Sequence, residues 1–292
     1  MNRKGRCCRV FDAVFTAGSG QSFAFGYAAG VLWSCDPLGD LPVDLETSQG
    51  YQQEGTTVEG RSISGVTRTI TGRILRNTDY CKRQLRDVFA PYVTGRLTVA
   101  GKYWCDAEVQ RCPAISAAVL WPTFSFQLYC PNPFWHSVSE TTAATLQVTP
   151  VFRLPVCYTT HRYGVREQAE YLRIHNAGLA TQHFVLTFTA HGEVVDPGIL
   201  DPETGEYLRF TVTLQDTDQL RIYRDETNQL RIERIISGTA VNGFSVLDGT
   251  STLYTLRHGV QAWQRTAASG TERLYLTLTC NAAFSTIITE GK

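Results

Sequence analysis

The chain has 292 residues, with 27 lysines and arginines against 27 aspartates and glutamates, so its formal charge is zero. That length leaves room for two domains, each able to bury its own core, and the even balance removes the basic footprint expected of a nucleic-acid or anionic-membrane binder. The charged share of 18 % is below the roughly one quarter usual in soluble domains, which suits β-sheet with much of its surface buried against neighbours.

Arg3, Lys4, Arg6 and Arg9 before the apolar run at 10–15 imitate a secretion signal, but Asp12 interrupts the run and no small-x-small site follows. It is read as mature chain. No apolar run approaches the roughly 18 residues that a membrane helix needs. The nine cysteines, Cys7, Cys8, Cys35, Cys81, Cys105, Cys112, Cys130, Cys157 and Cys280, form no Cys-x-x-Cys pair. Several fall on inward positions, which predicts buried free thiols in a protein assembled in reducing cytoplasm. A Cys105–Cys112 bridge across a hairpin is the weaker alternative.

Residues 1–59 read as short strands and turns. Phe23 and Phe25 alternate, residues 27–33 are apolar around Gly30, and Asp36-Pro-Leu-Gly-Asp40 is a turn cluster. Residues 50–60 are polar and glycine-rich, the pattern of an exposed hairpin loop. An alternating strand follows over 65–75, with Arg68 and Arg73 expected on its outer face and its edge open for pairing. Cys81, Leu85, Val88 and Phe89 share one face at i, i+4, i+7 and i+8, predicting an amphipathic helix over 79–90. Asn77 or Thr78 is placed to cap it, and Pro91 to end it. A hairpin-like pair is marked by Tyr103-Trp104 and Val109. In the strand at 124–130, Phe124, Phe126, Leu128 and Cys130 face one way, and two prolines around Asn132 then stop the ladder before Phe134-Trp135.

The small, polar, aperiodic residues 137–145 predict a boundary between a domain at 1–138 and a second at 139–292. Beyond it the chain reads as almost purely β, with short strands at 171–174, 184–189, 208–214, 220–223, 230–235, 253–256 and 274–280. Leu208, Phe210, Val212 and Leu214 alternate with polar residues, as do Leu274, Leu276, Leu278 and Cys280. Turn signals such as Asn176-Ala-Gly178 and Asp201-Pro-Glu-Thr-Gly205 separate the strands. The pattern predicts a β-sandwich.

The order of these features resembles the distal tail proteins of siphophages (the Dit, or Sipho-tail, family). In the first half the resemblance lies in Arg68-Thr-Ile-Thr-Gly72, the helix ending near Leu85-Arg-Asp-Val-Phe89, the aromatic pair Tyr103-Trp104, and a strand closing on Pro133-Phe-Trp135. In the second it lies in Ile174-His-Asn-Ala-Gly178, Pro202-Glu-Thr-Gly-Glu206 and Leu220-x-Ile222. Tyr223-Arg224 stands where the family usually has Asp-Thr. The resemblance implies a mainly β chain, with a ring-forming N-terminal domain carrying one helix and a galectin-like C-terminal sandwich. It implies a structural hub at the virion tail tip, assembled in the host cytoplasm. The partners would be further copies of itself in a hexameric ring, the tail tube protein, the tail-associated hub protein and receptor-binding proteins. Family position and polarity together single out Tyr51, Gln53, Glu54, Arg61, Arg68 and Arg73 for the ring interface.

No catalytic fingerprint appears: nucleophile elbow, P-loop and Rossmann motif are all missing from the sequence. The chain is read as a non-enzyme with no cofactor, no metal, no nucleic-acid ligand and no membrane. His175, His183 and His191 recur every eight residues without carboxylates at ligand spacing and read as structural. Asp196, Asp201, Glu203 and Glu206 read as turn formers, against the less favoured alternatives of a calcium site or a glycosidase pair. Tyr254, Trp263 and Tyr275 are candidates for partner or glycan stacking. The alternatives kept open are a carbohydrate-binding module that docks on the host cell wall, another minor tail or tail-tube protein, and, more remotely, a sandwich hydrolase.

Overall fold

Alternating apolar residues become strands through most of the chain, and the one amphipathic stretch becomes an α-helix. The structure is a computed structural model that describes residues 11–39, 41–150, 164–178, 184–225 and 229–287. By contacts the chain divides into two units, Met1–Val138 with Ala283–Lys292, and Ser139–Ala282. The sequence expectation carried the second domain to residue 292.

The first unit contains β1 (Ala13–Ala17), β2 (Ser22–Phe25), β3 (Val31–Asp36), β4 (Asp44–Ser48), β5 (Thr57–Ser62), β6 (Val66–Ile74), α1 (Thr78–Val88), β7 (Thr94–Val99), β8 (Tyr103–Ile115), β9 (Thr123–Cys130) and the start of β10 (Trp135–Ala144). Antiparallel pairing runs in the order β2-β1-β7-β8-β9-β6-β3. A bridge between Gly26 and Val31 joins the two ends of this series, so the sheet curls toward closure. The concave side is filled by α1, whose Cys81, Leu85 and Val88 are buried, and by Phe89 just beyond it. Phe89 meets Phe126 at 4.3 Å and Phe15 at 4.8 Å between ring centroids, with Phe23 and Phe25 at 6.0 and 6.1 Å. Asn77 does cap α1, though through a left-handed backbone and without a side-chain cap bond; asparagine tolerates that conformation better than most residues. Gly72 has a steric reason too. A Cβ there would collide with the Leu32 carbonyl and the Phe124 ring, so β3, β6 and β9 approach only around a glycine.

Two expectations are corrected in this unit. The strand at 65–75 is not an edge: β6 pairs with β3 on one side and β9 on the other. Residues 137–145, read as an aperiodic connection, lie almost wholly within β10, and the division between the units falls inside that strand. Small polar residues there conceal the period. Pairing of β8 with β9 slips twice between Val109 and Ala114, around Pro113, which has no N–H to give the ladder.

The second unit contains the rest of β10, β11 (Leu146–Pro150), β12 (Gly164–Gln168), β13 (Tyr171–Asn176), β14 (Val185–Ala190), β15 (Val194–Val195), β16 (Gly198–Leu200), β17 (Tyr207–Arg209), β18 (Thr213–Leu214), β19 (Gln219–Arg224), β20 (Leu230–Ile236), β21 (Thr239–Asn242), β22 (Gly259–Thr266) and most of β23 (Leu274–Phe284). One sheet runs β23-β14-β19-β20-β21 and another β13-β22-β16-β17. Leu186, Phe188, Leu220 and Leu276 from the first share a core with Leu172, Ile199, Leu208 and Trp263 from the second. This is a β-sandwich, built as alternating inward residues dictate.

The expected continuous strand at 208–214 is broken. β17 pairs with β16 and β18 with β15, and Phe210 between them bridges to Leu247. The alternation persists because Leu208, Phe210 and Leu214 stay buried while the chain changes partners. Residues 253–256 form no strand, although Leu256 is buried. β22, absent from the sequence reading, lies between β13 and β16.

Candidate interaction surfaces

Among the described residues, no three His, Cys, Asp or Glu side chains come together as a metal cluster. His175 and His191 are both exposed, and His183 lies outside the described residues. The acidic group closes turns. Asp201 Oδ1 accepts the Glu203 amide at 2.9 Å, and its backbone carbonyl accepts the Gly205 amide at 2.8 Å. Asp196 takes a left-handed turn position with φ 51°.

Of the aromatic candidates, Trp263 is not at the surface. Trp263 is buried, 1 % exposed, and wedged between Phe184 at 5.2 Å and Tyr254 at 5.1 Å. It faces inward from a strand paired on both sides, so the reading of Trp263 as a surface aromatic is corrected. Tyr254 is half-buried against it, and burial pushes its hydroxyl up to about 12. Tyr275, on the other sheet, stands half-buried and edge-on to His191 at 4.6 Å.

Arg68 is the largest departure. It was expected outward, yet its side chain is fully buried beside Val66 and Ile70 on the inner face of β6. The reason lies at the ends of the flanking strands. β3 runs into Pro37 and β9 into Pro131 and Pro133, where the ladder fails and carbonyls are left inside. Arg68 Nη2 donates to the Pro133 carbonyl at 2.8 Å, and Nη1 donates to that of Pro37. Its guanidinium lies 4.3 Å above the ring of Trp135, whose Nε1 donates to Leu38 O at 2.9 Å. One side chain thus ties both proline turns, a use of the planar fork that lysine cannot copy. Arg68 is therefore withdrawn from the ring-interface residues.

Three thiols surround this arginine. Cys105 Sγ lies 3.9 Å from Cys130 Sγ, and the bond between them, helped by Arg68, lowers the Cys130 thiol. Burial pushes Cys35 up to about 12 and Cys280 to about 11. Cys35, Cys81, Cys105, Cys112, Cys130 and Cys280 are all free, and of these Cys112 is the exposed one; Cys7, Cys8 and Cys157 lie outside the described residues. Because the thiolate is the reactive form, brief maleimide treatment at neutral pH should label the Cys112 peptide. The Cys35 and Cys280 peptides should label only in denaturant, as read by peptide mass mapping.

Open surface lies elsewhere. Among the described residues, β4 and β5 pair only with each other. Their hairpin exposes Val43, Leu45, Val58 and Ile63 together with Gln53, Glu54 and Arg61, and Tyr51 at its turn is 96 % exposed. Arg73 is exposed on the outer face of β6. A second open feature escaped the sequence reading, the tip between β8 and β9, where Val119, Leu120 and Trp121 are 85, 79 and 59 % exposed. Its signal was an apolar run ending at Pro122, which resembles a core segment.

No family model and no curated protein sequence matches the chain. Among solved structures it is similar to the Dit protein of phage SPP1, described as a paradigm of the hub adsorption apparatus in phages infecting Gram-positive hosts. That likeness covers 93 % of this chain and 99 % of that one, with a TM-score of 0.63 and 11 % identity. Looser likenesses, each with a TM-score of 0.43 and covering 95 % of this chain and 99 % of the other, are to the phage P2 baseplate in its activated conformation, with Ca at 13 % identity and with Sr at 14 %. On the stronger of these likenesses, the chain has the fold of the SPP1 Dit protein along nearly its whole length.

Proposed function

We propose that this chain is a distal tail protein, a non-enzymatic structural hub at the tail tip of a siphophage or prophage. The observation that carries the reading is the fold match across 93 % of the chain to a protein of a hub adsorption apparatus. Copies assemble through the first unit into a hexameric ring. One ring face meets the tail tube and the other the tail-associated hub protein, while the second unit, a galectin-like sandwich, holds receptor-binding proteins. The β4–β5 hairpin supports the ring. Two strands that among the described residues have no other sheet partner, exposing Leu45 and Val58 and flanked by exposed Val43 and Ile63, are marginal in water alone and are covered when a neighbour packs on them. Tyr51, Gln53, Glu54 and Arg61 sit on or beside that hairpin, and Arg73 is the remaining exposed candidate. A head-to-tail contact whose rotation closes gives a ring.

The test is the solution mass of the purified full chain by light scattering, with negative-stain images of the same sample. The expected result is a hexamer with a central opening. Replacing both Leu45 and Val58 by aspartate should shift it to monomer without loss of secondary structure. A wild-type protein that stays monomeric at high concentration, alone and with its tail tube partner, overturns the ring.

A further inference from the structure

The outer face of β3, β6, β9 and β8 carries a cross-strand row in register: Ser34 beside Thr71, Thr71 beside Ser125, and Ser125 beside Ala114. All four are small. The row on one side is Leu32, Arg73 and Thr123, and on the other Asp36, Thr69, Gln127 and Arg111. The small row and the first of these flanking rows border a shallow trench of about 810 Å³, lined by Leu32, Thr71, Arg73, Ala114, Ile115 and Ser125 among others and not by Asp36, Thr69, Gln127 or Arg111. The Ser34 and Thr71 hydroxyls bond each other at 2.8 Å, so neither needs an outside partner, and most of the lining is carbon. Three inter-strand spacings make the trench about 14 Å long.

The same chain presents a matching knob. Residues 116–123 carry no charge, and Val119, Leu120 and Trp121 are the exposed tip. Its base is clamped: Ser116 N donates to Thr123 O at 2.8 Å, Thr123 N to Ser116 Oγ at 2.9 Å, and Ile74 N to Pro122 O at 2.9 Å. Trp121 is held at φ 51°, a left-handed conformation that a bulky residue adopts only when its surroundings impose it. Three residues span at most about 10 Å, and the bend at 119–121 is shorter still, so the tip fits within the trench length. The tip does not lie in its own trench, since its side chains remain exposed while that space stays open.

We propose that the tip at 119–121 of one copy docks in this trench of a second copy, with Leu120 and Trp121 over the Ser34–Thr71–Ser125–Ala114 row. The small row itself is uncharged, Arg73 stands at the trench border and Asp36 one row beyond Ser34, the anatomy of an interface core inside a polar rim. It rests on the self-assembly in the proposed function and names a second contact, apart from the β4–β5 hairpin. Given one way it continues around a ring, and given reciprocally it stops at a dimer.

The experiment places a benzophenone amino acid at Leu120 of the full chain, mixes isotopically heavy and light protein, irradiates, and maps cross-linked peptides by mass. Heavy-light pairs joining residue 120 to peptides that contain Leu32, Thr71 or Ser125 are expected. They should be lost in Thr71→Trp, which fills the trench from an exposed position. In the unlabelled chain, Leu120→Asp should weaken self-association about tenfold or more, with circular dichroism unchanged. Absence of heavy-light pairs, pairs that map elsewhere, or pairs that survive Thr71→Trp overturn the contact. A hexamer that cross-links elsewhere overturns this contact and leaves the hub reading standing. Trench cross-links in a dimer do the reverse.

Discussion

Arg68→Ala should lower the unfolding free energy by about 3–5 kcal/mol, the cost of breaking a buried, hydrogen-bonded charge site. The sign needs care, because removing a buried cation also removes its desolvation penalty. A buried ion pair replaced whole by apolar residues often breaks even. Here the partners are the backbone carbonyls of Pro37 and Pro133, which no side-chain substitution removes, and each buried acceptor left without a donor costs about 1–3 kcal/mol. Loss of the cation–π contact with Trp135 and the cavity left by the stem add to this. Arg68→Met keeps most of the volume and isolates the polar contribution, so it should fall between wild type and alanine. Arg68→Lys keeps the charge but cannot span two carbonyls, and should lose about 1–3 kcal/mol. Urea midpoints at constant slope measure all three. If Arg68→Met matched or exceeded wild type, desolvation would outweigh the proline-turn bonds and this account of Arg68 would fail.

Phe89→Ala should cost about 3–5 kcal/mol, the range for a large aromatic removed from a packed core. Its ring sits at the centre of Phe15, Phe23, Phe25 and Phe126, so truncation opens a space bounded by stiff rings that cannot collapse into it. Against a domain stability of about 5–15 kcal/mol, that leaves the first unit marginal. Phe89→Leu preserves most of the volume and should cost about 1.5 kcal/mol or less. Tyr51→Ala, at a residue 96 % exposed, is the matched surface control and should stay within about 0.5 kcal/mol. A Phe89→Ala protein with the urea midpoint of that control would show that the aromatic cluster does not hold the unit together.

Local pattern was legible where one face is buried and the other wet. β9 and β23 follow the alternation read from Phe124 to Cys130 and from Leu274 to Cys280, and α1 buries the Cys81–Leu85–Val88 stripe that predicted it. The mainly β class followed from such stretches, because period and turn residues are local properties. β22 was invisible for the opposite reason. Only Trp263 among its residues is buried, so its place was set by pairing with β13 and β16 and left no period to read.

Sidedness and partnership belonged to the tertiary structure. Nothing local to residues 65–75 distinguishes an edge strand from a central one, and a polar residue in an alternating strand reads as outward by default. Arg68 is inward because two proline turns, 31 and 65 residues away in sequence, bring unsatisfied carbonyls to the same point, and a buried acceptor must find a donor. Trp263 is core and the apolar tip at 119–121 is surface, against the ordinary reading of each run, because burial depends on which other segments arrive. The sequence by itself determined the β character and the α-helix at 78–88. Only the fold decided which strand is central, which arginine is inside, and which apolar residues are left exposed.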